Sequence, residues 1–288
     1  MSKPLMCPPE LLEKDLKGKT YIVTGGNSGI GLTTVEQLAK QGATVVLACR
    51  RPKDAPPVAG DVHVLALDLA DLGNVRAFAT AVHDKFKRID GLVNNAGVMN
   101  TPRGKTKDGF ELQFGTNHLG PFLFTLLLLP RVREGKSPRI VNVASAAHYR
   151  VKDAKIDWAA QRETTRTVSG FPEYALSKLF NILFTKELAR GKAGPGIHSY
   201  SLHPGGVATD IWRRIPWPFD ALLKLFLITT EEGAQTTLHC ATSPDCANDD
   251  GLYYDKSRVK KPSALAEDPA LAKEVWAKSE EWVSAHLK

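Results

Sequence analysis

The stretch Thr24-Gly-Gly-Asn-Ser-Gly-Ile-Gly31 decides the reading of this chain through what stands on either side of it. Tyr21-Ile-Val-Thr24 has the β-branched and aliphatic character of a buried strand. Residues 30–41 carry apolar side chains at Ile30, Val35, Leu38 and Ala39, and Gly42 follows as a helix stop. Glycines at Gly25, Gly29 and Gly31 let the chain turn sharply between strand and helix and approach an anion closely. The first N–H groups of the helix and its dipole then favour a phosphate. A glycine-rich turn alone is weak evidence; this one lies between a strand and a helix, the context a nucleotide phosphate loop requires.

Outward from that loop, short apolar runs alternate with helical patterns. Strands are predicted at 44–48, 62–67, Gly91-Leu-Val-Asn94, Arg139-Ile-Val-Asn-Val143, His198-Ser-Tyr-Ser-Leu202 and Gly251-Leu-Tyr-Tyr254, and helices near 74–87, 111–129 and 174–189. The wholly apolar runs suit a parallel sheet covered on both faces. The fold expected is α/β: one Rossmann-type doubly wound domain, with a mostly parallel central sheet of about seven strands flanked by helices. Residues 1–17 read as an N-terminal extension and 18–288 as the domain, with no repeat or linker to divide it. Pro52, Pro56 and Pro57 predict a crossover with little helix after the second strand. The region 148–172 is polar and irregular, and reads as a solvated loop in preference to a rim.

Composition narrows the function. The 288 residues are 43% hydrophobic and 24% charged, which excludes wholesale disorder and a small disulfide-stapled scaffold. The net charge of +7 leaves nucleic acid, an anionic membrane, an anionic ligand or a plain basic surface open. The basic residues are spread along the chain without a basic arm, so no nucleic-acid partner is expected. Cys7, Cys49, Cys240 and Cys246 form no C-x-x-C pair, so no metal site is expected and a reducing, cytoplasmic setting fits. The N-terminal residues lack the apolar core of an export signal. The longest apolar stretch, 121–130, is about half the roughly 20 residues that span a bilayer, so no transmembrane span is expected.

The end of the second strand reads Leu47-Ala-Cys-Arg-Arg-Pro-Lys53. A site for NAD places an acid here to accept the ribose 2′-OH, whereas a site for NADP removes it and supplies Arg. No acid lies between Thr44 and Lys53, and Arg50 and Arg51 suit a bidentate grip on the 2′-phosphate. NADP(H) is therefore expected over NAD(H). Further along, Tyr174-Ala-Leu-Ser-Lys178 puts Tyr and Lys on one helix face. A tyrosine with an ordinary pKa near 10 is a poor acid or base at neutral pH, and a nearby ammonium is expected to lower it.

With Asn94-Asn-Ala-Gly97, Asn117, Ser145 and His203-Pro-Gly205 added in this order, the sequence resembles the classical short-chain dehydrogenase/reductase family. Ala48-Cys-Arg50, Thr116-Asn-His-Leu-Gly120, Glu232-Gly-Ala-Gln-Thr236 and the wide gap between Ser145 and Tyr174 resemble its retinol dehydrogenase-like branch. The resemblance implies four catalytic residues. Ser145 would polarise the substrate carbonyl, Tyr174 would deliver the proton, Lys178 would bind the nicotinamide ribose and hold down the tyrosine pKa, and Asn117 would hold a water in a proton relay. It adds cofactor contacts at Asn27, Ser28 and Ile30 in the phosphate turn, at Asp68 and Leu69 beside the adenine, and at Asn94, Ala96 and Gly97 by the ribose. Pro204, Gly205, Val207 and Thr209 would line the nicotinamide amide. Asp68 could instead cap the following helix. His118 reads as a packing residue.

The family places its substrate lid at about 211–230, and a wall of Trp212, Trp217 and Phe219 there would favour an apolar carbonyl compound. A helix resting on a membrane, with Arg213 and Arg214 at the headgroups, is the competing reading, so peripheral membrane contact stays open. The activity expected is reversible NADP(H)-dependent hydride transfer to a lipophilic aldehyde or ketone, retinal-like, steroid-like or aryl. A catalytically idle NADP-binding scaffold or redox sensor is the alternative, and both monomer and homo-oligomer remain open.

Overall fold

Strand alternation assigns the core to two faces of one sheet. In β1 (Thr20–Thr24), Tyr21 and Val23 enter one apolar cluster and Ile22 the other. The computed structural model describes residues 6–101, 103–207 and 227–287. On the Tyr21 face lie α1 (Pro9–Leu12) and α2 (Gly29–Lys40), with Leu11, Val35 and Leu38 buried. Val45 and Leu47 of β2 (Thr44–Cys49) join them. The Ile22 face is covered by α3 (Leu72–Lys85), which inserts Val75, Phe78 and Val82.

The chain continues through β3 (Val62–Ala66), β4 (Gly91–Asn94), α4 (Leu112–Phe114), α5 (Gly120–Arg133) and β5 (Arg139–Val143). There follow α6 (Phe171–Glu187), β6 (His198–His203), α7 (Thr230–Thr242), β7 (Leu252–Asp255), β8 (Arg258–Val259) and α8 (Pro269–Val283). The sheet order is β3-β2-β1-β4-β5-β6-β7-β8. The first seven strands pair in parallel, and β8 pairs antiparallel with β7. The expected doubly wound sheet is thus present with an eighth strand, whose two residues carry too little periodicity to be read. Between β1 and β4 the winding direction reverses, so the loops leaving these strands diverge and open a crevice at their C-terminal ends.

The proline-rich crossover holds only one 3₁₀ turn, Pro52–Asp54. With no helix over it, edge strand β3 stays half covered and Val64 is 38% exposed. Residues 6–17 pack against the body: Leu16 is buried, the Cys7 N–H donates to Gln235 Oε1 (2.9 Å), and Gln41 Nε2 donates to the Leu11 carbonyl (2.8 Å). The region before α6 is no solvated loop. Thr165 donates to the buried Glu111, Gln113 Nε2 donates to the Gly170 carbonyl (2.7 Å), and Trp158 stacks on Phe180 at 5.7 Å. Among the described residues, no helix is long and apolar enough to cross a membrane.

Candidate active site

Steric necessity builds the phosphate loop. Gly25 and Gly29 adopt φ of +65° and +53°, which side chains disfavour. A Cβ on Gly31 would stand 2.2 Å from the Gly25 carbonyl oxygen and 2.5 Å from Asn95 Nδ2. Ser28 precedes α2 in extended conformation without a side-chain cap, the first turn of α2 carries no acid, and Gly29, Ile30 and Gly31 line a cavity. Asn95 secures the loop from the next strand by donating to the Thr24 carbonyl (2.8 Å), while Thr24 Oγ1 accepts from the N–H groups of Asn95 and Ala96 (3.0 Å each).

A cavity of about 710 Å³ runs from this loop across the C-terminal ends of the strands. Gly25, Asn27, Ser28, Gly29, Ile30 and Gly31 line one end, with Arg50, Arg51, Asp68 and Leu69. Ala96, Gly97, Ser145, Tyr174 and Lys178 line the middle, beside Pro204, Gly205 and Val207. Thr209, Trp212, Trp217 and Phe219 lie outside the described residues, as does most of the expected lid. The apolar end is formed in part by Met99, Leu112, Ala147 and Phe171.

Several candidates differ from expectation. Asn94 is absent from the cavity wall: it is 5% exposed and donates to Thr125 Oγ1 (3.0 Å) and Asn142 Oδ1 (2.8 Å), tying β4 to β5 and α5. Strand alternation turns its side chain into the sheet's covered face and leaves Asn95 at the loop. Arg51 is paired through Nε with Asp54 Oδ2 at 2.8 Å, an acid one residue beyond the stretch read for carboxylates. Arg50, without an ion pair among the described residues, is the cation left for a phosphate. Asp68 does not cap α3. Asp71 does so by accepting from the Asn74 N–H (3.0 Å), and Asp68 Oδ1 accepts from the Ala70 N–H (2.9 Å) at the cavity edge.

The central residues sit on rigid elements. Ser145 leaves β5 and accepts from the Ala147 N–H (3.2 Å), and its own O–H faces the Tyr174 phenol inside the cavity. Tyr174 lies in the first turns of α6, and burial pushes its phenol up to about 12, with the Ser145 hydroxyl working in the opposite direction. The expected lowering by Lys178 is not the governing effect. The Lys178 Nζ donates to the Val143 carbonyl (2.8 Å) and stands 5.6 Å from the Tyr174 ring centroid; burial brings its ammonium down to about 8.

Asn117 belongs to a π-helical turn, Gly115–Leu119, wedged between α4 and α5. The Asn117 Oδ1 accepts from the Val98 N–H (2.8 Å), and Nδ2 donates to the Val98 carbonyl (2.9 Å) and Ser177 Oγ (3.0 Å). With these bonds made, the Asn117 side chain locks the β4 exit loop to α6. Thr24, Asn95 and Ser177 were missed as site supports. Asn95 was legible within Asn94-Asn-Ala-Gly97, whereas the contact to Ser177 depends on tertiary packing. His118 is fully buried among Phe114, Phe122 and Phe180, hydrogen-bonds Ser279 Oγ at 2.8 Å, and is held neutral by burial with a pKa near 3.

Residues 19–157 match the family model for short chain dehydrogenases. Human retinol dehydrogenase 13 is 37% identical over 283 residues, covering 92% of this chain and 84% of that protein. Human retinol dehydrogenase 11 is 40% identical over 273 residues, covering 91% and 84%. A solved structure of an uncharacterized protein from Mycobacterium paratuberculosis is 34% identical, with a TM-score of 0.76, and covers 94% of this chain and 95% of its own. The chain therefore belongs to the short-chain dehydrogenase/reductase family of nicotinamide-dependent oxidoreductases, in its retinol dehydrogenase-like branch.

Proposed function

We propose that the protein is an NADP(H)-dependent oxidoreductase that interconverts a lipophilic aldehyde or ketone and its alcohol. The observation that carries this reading is the placement of Ser145, Tyr174 and Lys178 in one cavity with the phosphate loop and Arg50. The donor set fits a dinucleotide: an uncapped helix N-terminus, a backbone cradle that a Cβ at Gly31 would fill, and an arginine without a carboxylate partner among the described residues. When bound, the nicotinamide supplies or accepts the hydride.

The chain's own residues handle the oxygen and its proton. The O–H of Ser145 donates to the substrate oxygen and stabilises negative charge as it develops there. Tyr174, protonated at neutral pH, gives its phenolic proton to that oxygen in reduction and takes it back in oxidation. Lys178 brings a cation beside the resulting tyrosinate and is poised to hold the nicotinamide ribose. Asn117 keeps the β4 exit loop and α6 in register, so these groups hold their spacing. Met99, Leu112 and Phe171 offer the substrate's body an apolar wall, which supports a lipophilic compound. Four free, buried cysteines suit the reducing, cytoplasmic setting proposed with it.

Dissociation constants for NADPH and NADH test the cofactor assignment. NADPH should bind more tightly, Arg50→Ala should remove most of the difference, and Arg51→Ala, whose guanidinium already serves Asp54, should remove less. Preference for NADH, or a ratio unchanged in Arg50→Ala, defeats the assignment.

A further inference from the structure

A second cavity, of about 250 Å³, lies at the opposite end of the sheet, where strands β1 and β5 begin. Its wall includes Lys14, Lys19, Tyr21, Ser137 and Arg139, together with Asp90. We propose that this basal cavity is a binding site for a phosphate-class oxyanion, separate from the crevice that carries the proposed chemistry.

Arg139 is the centre of the site. It is only 9% exposed and has no carboxylate within ion-pair distance among the described residues. One of its five N–H groups is used, in the bond from Nη1 to the Cys240 carbonyl (3.0 Å), and the guanidinium lies 5.8 Å from the Tyr200 ring centroid. Lys14 donates to the Thr242 carbonyl (2.9 Å), and Lys19 makes no ion pair among the described residues. Burial and the charges of Lys19 and Arg139 together lower the Lys14 pKa, as expected for cations held near one another.

Capping the last carbonyls of α7 accounts for one N–H of Arg139 and one of Lys14. It leaves the Lys19 ammonium and the remaining guanidinium donors without an acceptor among the described residues. The hydroxyls of Tyr21 and Ser137 also have no hydrogen-bond partner among the described residues. Asp90 does not neutralise the cluster. Its Oδ2 accepts from the Thr20 N–H (2.9 Å) and pairs with Arg88 Nε (3.2 Å), while Oδ1 accepts from the Lys136 N–H (3.0 Å). The cavity therefore presents three cations and two hydroxyls, and its one acid is already balanced. A doubly charged tetrahedral oxyanion matches that set, since arginine grips two of its oxygens and the lysines relieve their repulsion on the others. The volume accommodates inorganic phosphate or a phosphomonoester on a small organic group.

Calorimetric titration with inorganic phosphate, at ionic strength held constant with sodium chloride, tests the site. Phenyl phosphate in a parallel arm distinguishes a free ion from a phosphomonoester. The wild-type protein should bind phosphate, Lys19→Gln should weaken binding about tenfold, as expected for one charge-assisted contact, and Arg50→Ala should leave it unchanged. The Lys19 side chain makes no hydrogen bond or ion pair among the described residues and its backbone bonds survive the substitution, so its variant should fold normally; Arg139→Gln should abolish binding. Absence of binding in the wild type, equal binding in Lys19→Gln, or binding lost in Arg50→Ala and kept in Lys19→Gln overturns the proposal.

Discussion

Replacing Lys178 by Met should flatten the pH dependence of stability above neutrality. The lysine is 4% exposed, and burial brings its pKa from 10.5 to about 8. Below pH 8 the ammonium is charged in both folded and unfolded chains, and the folded state bears the whole cost of its desolvation. Between about pH 8 and 10.5 the unfolded chain binds more protons than the folded one, so stability rises with pH. A shift of this size corresponds to roughly 3 kcal/mol, of which about 2–3 kcal/mol is regained between pH 7 and pH 10. For a chain of this length that is on the order of 4–6 °C in Tm. Urea unfolding of both proteins across this range isolates the lysine, because buried Tyr and Cys groups contribute equally to both curves. The stability difference between wild type and Lys178→Met should shift toward the wild type by about 2–3 kcal/mol as pH rises. Parallel curves would refute a depressed lysine, and with it a dry environment around Nζ.

Gly31→Ala places a methyl group 2.2 Å from the Gly25 carbonyl oxygen, so the loop must move; NADPH affinity should fall at least about tenfold, read by fluorescence titration, with circular dichroism unchanged. Tyr174 must be deprotonated to act as base, and its phenol is pushed up to about 12. Alcohol oxidation should therefore accelerate about tenfold per unit between pH 7 and 9, while reduction stays nearly level; a level oxidation profile contradicts the role of Tyr174. Asn117→Ala removes both bonds to Val98 and the one to Ser177. It should cost about 2–3 kcal/mol of stability as well as activity, whereas Tyr174→Phe should cost activity alone; equal unfolding midpoints for Asn117→Ala and wild type would refute this.

The doubly wound sheet was legible because parallel strands buried on both faces are written as apolar runs, and the glycine turn marks where the first of them meets a helix. What escaped the sequence was set by packing. The π turn at Asn117 interrupts a segment whose hydrophobic residues read as one helix, because a single extra residue per turn hardly alters the pattern. Asn94 and Asn95 are chemically identical neighbours, and only the strand's orientation sends one into the sheet and the other to the phosphate loop. Arg51 read as a free cation since Asp54 reaches it only through the 3₁₀ turn. The tyrosine pKa went the other way because burial, invisible in i and i+4 spacing, raises it and only the Ser145 hydroxyl works against that rise. Arg139 opens β5 like any strand residue, and its basal neighbours come from segments remote in the chain.

The activity proposed for this chain is hydride transfer between NADP(H) and a lipophilic carbonyl compound with Tyr174 as proton donor. Its most direct test is NADPH consumption at 340 nm with a panel of retinal-like, steroid-like and aryl carbonyls, run on the wild type and on Tyr174→Phe after both are shown to bind NADPH. Turnover by the wild type with at least one lipophilic carbonyl, lost in Tyr174→Phe at unchanged cofactor affinity, is the expected result. Full activity in Tyr174→Phe, or a wild type that binds NADPH and reduces nothing in the panel, would contradict it.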